Sequence, residues 1–340
     1  MMKSGKPSYS LVLFATFFAM CVVVLGAWTR LEDAGLGCPD WPGCYGFISV
    51  PDTPEEIAQA EAAYPDAPFE ADKAWPEMIH RFFAGTLGLL VIAINVIAWR
   101  NRHNSDQPFK LPLFLLFLVI AQGMFGMWTV TLKLWPQVVT THLLGGFTTL
   151  SLLWLLSLRL DNRPWPQPNI PLRRWISLKP LAATALILLI CQISLGGWTS
   201  SNYAALACPD LPTCQGSWIP DMDFANGFNV TQEIGPNYLG GQLDGQSRVA
   251  IHMAHRIGAL LVTIVIGFLI FKLFRNAGGR EMNNLASILL ALLIIQVSLG
   301  LSNVIFSLPL WVAVAHNAGG ALLLLTLVNV NYRLSRVSAF

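Results

Sequence analysis

The chain has 340 residues and a formal net charge of +2; 54% of its residues are hydrophobic and 12% are charged. Typical soluble domains carry about 25% charged residues, so the composition argues against a soluble enzyme and for a membrane protein. The small basic excess does not imply a nucleic-acid partner, because membrane topology accounts for where the basic residues lie.

Eight apolar runs, near 9–28, 79–99, 111–129, 136–158, 178–198, 250–271, 284–305 and 311–331, are each long enough to cross roughly 30 Å of hydrocarbon as a helix. The first, behind Lys3 and Lys6, has the outline of a secretory signal. It is too long for one, lacks a small-x-small cleavage site and recurs in the fifth run, so it reads as an uncleaved helix. A loop over 29–78 follows, with 11 of the 19 acids between Glu32 and Glu77 and a short helical turn expected at Ala58–Ala63. After the fourth run, the basic, proline-rich segment 161–177 resists helix, because proline removes an amide donor and restricts its predecessor. It reads as a cytoplasmic linker between an N-terminal unit, 1–160, and a C-terminal unit, 178–340. A second long loop covers 199–249. The N-terminus, the even-numbered loops and the C-terminal tail hold 15 of the 21 Lys and Arg residues, whereas the odd-numbered loops and their flanks hold 16 of the acids. Both termini are therefore expected on the cytoplasmic side.

The two units are copies. Leu25-Gly26-Ala27-Trp28-Thr29 matches Leu195-Gly196-Gly197-Trp198-Thr199 at an offset of 170, and Cys38-Pro39-Asp40-x-Pro42-x-Cys44-x-Gly46 matches Cys208-Pro209-Asp210-x-Pro212-x-Cys214-x-Gly216 at the same offset. His80-Arg81 matches His255-Arg256 at 175; Gln122, Gly126, His142 and Gly145-Gly146 match Gln296, Gly300, His316 and Gly319-Gly320 at 174. The expected fold is all-α: eight transmembrane helices forming two tandem four-helix bundles, related by a pseudo-two-fold axis along the membrane normal.

Polar groups inside membrane helices are costly, so intramembrane histidines point to function. His80, His142, His255 and His316 open the second, fourth, sixth and eighth runs, which all enter from the same side. Two imidazoles at similar depth on neighbouring helices can ligate the two faces of a haem iron. No His or Cys cluster has the close spacing of a zinc site. The Gly-Gly pairs would let a planar group approach the backbone. Arg81 and Arg256 could neutralise haem propionates or snorkel to headgroups. His103 reads as a solvated loop residue.

The copies differ three residues before the first histidine of each. Glu77 precedes His80, whereas His252 precedes His255, and i, i+3 residues share a helix face. A carboxylate beside one macrocycle only suits one site for proton-coupled chemistry and another for electron transfer. Cys38 with Cys44, and Cys208 with Cys214, could form disulfide staples worth roughly 2 kcal/mol each, or exchange electrons with a thiol partner. Cys21 and Cys191 read as small apolar packing residues.

With this quartet, the paired loop cysteines and the Glu-x-x-His sequence, the chain from Leu11 to Asn331 resembles the haem A synthase family. Members have eight membrane helices in two halves and oxidise a porphyrin methyl group of haem O to the formyl group of haem A, which serves terminal oxidases. The resemblance implies that His80 and His142 hold the substrate haem beside a catalytic Glu77, that His255 and His316 ligate a resident haem b, and that Cys38, Cys44, Cys208 and Cys214 match the family's loop cysteines. It also implies a bacterial inner-membrane location, haem O delivered through the lipid, and partners in haem O synthase and an electron donor or acceptor. The acidic stretch from Val50 to Lys73 departs from the shortest members. A non-enzymatic bis-His dihaem b-type cytochrome is the alternative; a transporter and a periplasmic thiol oxidoreductase are further rivals.

Overall fold

A computed structural model describes residues 8–104, 107–161, 172–276 and 279–336. The described residues form ten helices: α1 (Tyr9–Leu31), α2 (Pro54–Ala63), α3 (Ala71–Arg100), α4 (Lys110–Thr131), α5 (Pro136–Leu160), α6 (Leu172–Ser201), α7 (Phe224–Gly227), α8 (Gly245–Asn276), α9 (Arg280–Ile305) and α10 (Leu310–Arg336). Eight of them, all but α2 and α7, are long and apolar enough to cross a membrane. Among the described residues there is no strand, only isolated bridges at Cys44–Phe47 and Cys214–Ser217.

The helices extend beyond the apolar runs, because hydropathy marks the part in hydrocarbon and not where backbone hydrogen bonding stops. Helix α3 starts eight residues before its run and takes in Pro76, whose carbonyl accepts from Thr29 Oγ1 of α1 at 3.1 Å. Helix α8 likewise starts at Gly245. Of the expected linker 161–177, residues 162–171 lie outside the described residues. From Leu172 onward the chain is helical, and Trp175 is fully buried.

Contacts run α1–α3, α3–α4, α4–α5 and α5–α1 in the N-terminal half, and α6–α8, α8–α9, α9–α10 and α10–α6 in the other. The halves meet through α1–α10, α5–α6 and α5–α10. One apolar core runs through both, including Val12, Leu150, Leu156, Ala182, Leu269 and Leu327. Polar contacts between the halves concentrate at the end that carries the long loops. Arg30 of α1 donates to Tyr203 Oη at 2.9 Å and to the Ser200 carbonyl at 2.6 Å, while Tyr203 Oη donates to Asp33 at 2.7 Å. Trp135 Nε1 donates to the Gln232 carbonyl at 3.1 Å, and Trp28 stacks on Trp311.

In the first loop, α2 exceeds the expected turn at 58–63. Thr53 Oγ1 accepts from the Glu56 amide, Glu56 reaches back to the Thr53 amide, and Pro54 begins the helix. This capping box satisfies orphan donors at both residues. The repeated Cys-Pro-Asp motif is a folded turn in both copies. Asp40 accepts the amides of Tyr45 and Gly46 at 2.7 and 2.8 Å, and Asp210 accepts those of Gln215 and Gly216 at 2.6 and 3.1 Å. Tyr45 and Gln215, with the glycines after them, have positive φ, which is why each motif ends in glycine.

The Thr213 hydroxyl and the Gly216 and Gln215 amides hold the Asp210 carboxyl below the usual carboxylate range. A carboxylate whose folded pKa is depressed stabilises above its unfolded pKa, and the effect is lost as pH falls through the folded one. Asp210→Asn should therefore speed hydrogen exchange at the Gln215 and Gly216 amides at neutral pH, and the excess over wild type should vanish below the carboxylate range. Equal neutral-pH exchange would show that Asp210 does not hold the turn.

Candidate functional site

Chain order brings the N-terminal ends of α3, α5, α8 and α10 to the end with the long loops, and each carries its histidine two to three turns in. His80 and His142 lie within electrostatic reach of each other, as do His255 and His316. All four are half-buried, and buried Nδ1 atoms of His80, His142 and His316 have no hydrogen-bond partner.

Each ring lies over a glycine of a neighbouring helix. A Cβ at Gly26 of α1 would stand 2.8 Å from Cε1 of His80, and one at Gly300 of α9 would stand 3.1 Å from His316 Cε1. The same atoms at Gly196 and Gly126 would be 3.4 Å from His255 and 3.5 Å from His142. These four glycines belong to the internal repeat, and the pairing of glycine with histidine is what sequence alone did not disclose. The expected role of the Gly-Gly pairs is met differently: Gly145 and Gly319 receive the side-chain amides of Gln122 and Gln296, and Gly146 faces open space.

Glu77 is 5% exposed and ties α3 to the disulfide loop. Its Oε2 accepts the Cys38 amide at 3.0 Å, and its Oε1 accepts from Arg81 at 2.5 Å. Arg81 also donates to the carbonyls of Asp40, at 2.9 Å, and Gly43. In the other half His252, 4% exposed, accepts the Cys208 amide on Nδ1 at 3.3 Å. Arg256 donates to Thr213, Cys208 and Asp210 carbonyls at 2.8, 2.7 and 2.9 Å. The two arginines thus have loop carbonyls as partners, which neither the propionate nor the headgroup reading foresaw. A buried guanidinium needs many acceptors, and a tight turn with inward carbonyls supplies them.

Cys38 is bonded to Cys44 and Cys208 to Cys214, with Cα separations of 4.8 and 4.6 Å. All four cysteines are fully buried. Cys191 is exposed on α6, unlike the packing residue expected there, and Cys21 is partly buried. His103 is exposed in the α3–α4 connection.

A family model described as cytochrome oxidase assembly protein, COX15-CtaA, matches residues 9–328. The chain belongs to this family. It is 50% identical over 315 residues to a protein named Heme A synthase from Shewanella oneidensis, with 93% of each chain covered. Proteins of the same name from Allorhizobium ampelinum and Halalkalibacterium halodurans are 27% and 26% identical, covering 93% and 97% of this chain.

The residues of this COX15-CtaA member suit a haem with two axial imidazoles in each half. Each half offers two half-buried histidines, on helices that lie diagonally in its ring of four and not on neighbouring helices as expected, and the Nδ1 atoms of His80, His142 and His316 have no protein partner. Among the described residues there is no cluster of three or more His, Cys, Asp or Glu side chains to favour another metal. The glycine seats yield a test. Gly26→Ala must move the His80 ring, whereas Gly196→Ala meets His255 at ordinary contact distance. Gly26→Ala should lower the haem content and low-spin absorbance of the purified protein, and Gly196→Ala should leave both near wild type. Equal behaviour of the two variants would remove the seat from the argument.

Proposed function

We propose that this chain is a haem A synthase: an oxidoreductase of the bacterial inner membrane, with both termini cytoplasmic, that converts haem O to haem A. Its halves, 1–160 and 178–340, are related by a pseudo-two-fold axis along the membrane normal and divide the work. The observation that carries this reading is the pairing of His80 with His142 and of His255 with His316, on equivalent helices, with a carboxylate beside only the first pair.

In the N-terminal half His80 and His142 hold the substrate, haem O, which enters from the lipid. One methyl group is oxidised twice, through an alcohol and a hydrated aldehyde that loses water to leave the formyl group. His255 and His316 would hold a haem b, which would supply one-electron transfer to or from an external donor or acceptor, and haem O synthase is the natural source of substrate. Glu77 has two duties. Through Cys38 and Arg81 it fixes the loop over the site, and as the only acid on the His80 face of α3 it takes or returns protons near the reacting carbon. His252 performs the loop-holding duty alone, which is why the C-terminal half is suited to electron transfer. The Cys38–Cys44 and Cys208–Cys214 bonds shape the two loops.

Expression in a host that makes haem O but no haem A, followed by mass analysis of extracted haems, tests the activity. Haem A or its alcohol precursor should appear only with this chain. If well-expressed, haem-loaded protein yields only haem b and unmodified haem O even with electron partners supplied, the dihaem cytochrome reading takes its place. Glu77→Gln keeps an acceptor for the Cys38 amide but cannot shuttle a proton. It should retain haem and lose most product, by about 100-fold or more if general acid–base catalysis is at work. Wild-type turnover in Glu77→Gln would leave Glu77 with the structural duty only.

A further inference from the structure

Three of the four histidines have a buried Nδ1 without a hydrogen-bond partner: His80, His142 and His316. His255 differs. Its Nδ1 lies 3.1 Å from Nε2 of Gln192 on α6. The same amide nitrogen is 3.5 Å from His255 Nε2 and donates to the His255 backbone carbonyl at 3.0 Å. Gln192 Oε1 is buried and has no partner. The glutamine fits because the residue nearly one turn beyond His255 is Gly258, where a Cβ would collide with the carboxamide.

The N-terminal half has no such arrangement. At the repeat offsets of 170 and 175, Gln192 and Gly258 correspond to Val22 and Phe83, and Phe83 is stacked on Phe18 at 5.2 Å. Backbone carbonyls of Val22 and Gln296 neighbour His80 and His316, but these are mid-helix acceptors already used by their own helices. The duplication keeps the histidine and its glycine seat in both halves and adds a side-chain amide to one.

A histidine bound to metal through one ring nitrogen keeps a proton on the other. An acceptor for that proton fixes the ring and makes the ligand more basic, which favours the ferric state and lowers the reduction potential. We propose that Gln192 is a positioning residue for His255. By turning its carboxamide it presents Oε1 to the Nδ1–H of iron-bound His255, and so lowers the potential of the C-terminal-half haem. This rests on the reading that His255 is a haem ligand.

The test uses the full chain carrying His80→Ala and His142→Ala, so that haem is confined to the C-terminal half, purified from a host that makes haem b but no haem O. This protein, and versions with Gln192→Val or Gln192→Glu added, are titrated reductively while the low-spin absorption bands are followed. Gln192→Val should raise the midpoint; Gln192→Glu, an equally long and stronger acceptor, should lower it; both should keep the bis-imidazole spectrum. A midpoint unchanged from Gln192 protein in either variant overturns the proposal. Should Gln192→Val lose its haem, Gln192→Glu decides alone. Failure of the ligand reading is a separate result: His255→Ala in the same background would then retain its full low-spin haem.

Discussion

An imidazole ring can stand inside a packed helix bundle only where the neighbouring helix gives up a side chain. Interiors are packed to crystal-like density, so a ring on α3 or α5 displaces whatever faces it. Gly26, Gly126, Gly196 and Gly300 make that room, one for each histidine. They hold the rings between helices, half-buried and largely without protein hydrogen bonds, a costly state for a polar group unless a ligand completes it. Pairing within each half and room for a flat group both depend on these four contacts.

The second constraint ties the loops to the site. Each disulfide loop presents backbone carbonyls to the arginine that follows a histidine, and a backbone amide to the residue three before it. Because Arg81 and Glu77 belong to the same turns of α3 as His80, the loop cannot shift without pulling on the histidine's own helix. The same holds for Arg256, His252 and His255 on α8. The aspartates at 40 and 210 fold the loop, the disulfide closes it, and the arginine docks it.

Against this shared scaffold the differences stand out. A carboxylate in one half is replaced by an imidazole in the other, with the same backbone amide as partner. Val22 and Phe83 in one half are replaced by Gln192 and Gly258 in the other. Duplication starts from two equal sites, and a few substitutions near the histidines leave their surroundings unequal; in a low-dielectric interior a single charge or hydrogen bond changes local energetics strongly.

The sequence by itself determined the membrane class, the eight spans, the duplication, the four histidines and the Glu77–His252 difference. These are properties of composition, period and self-similarity, readable without knowing which residues meet. It also held the signal for α2, a Thr-Pro-Glu-Glu start set among proline and acid. Where α3 and α8 begin was hidden, since hydropathy ends at the hydrocarbon boundary while helical hydrogen bonds continue past it. Only the tertiary structure decided what each residue touches: that Gly26 faces His80, that Arg81 reaches the carbonyls of Asp40 and Gly43, and that Gln192 reaches His255. Those contacts join residues dozens of positions apart. They are set by how helices rotate and pack against one another, and no local pattern in the chain encodes that rotation.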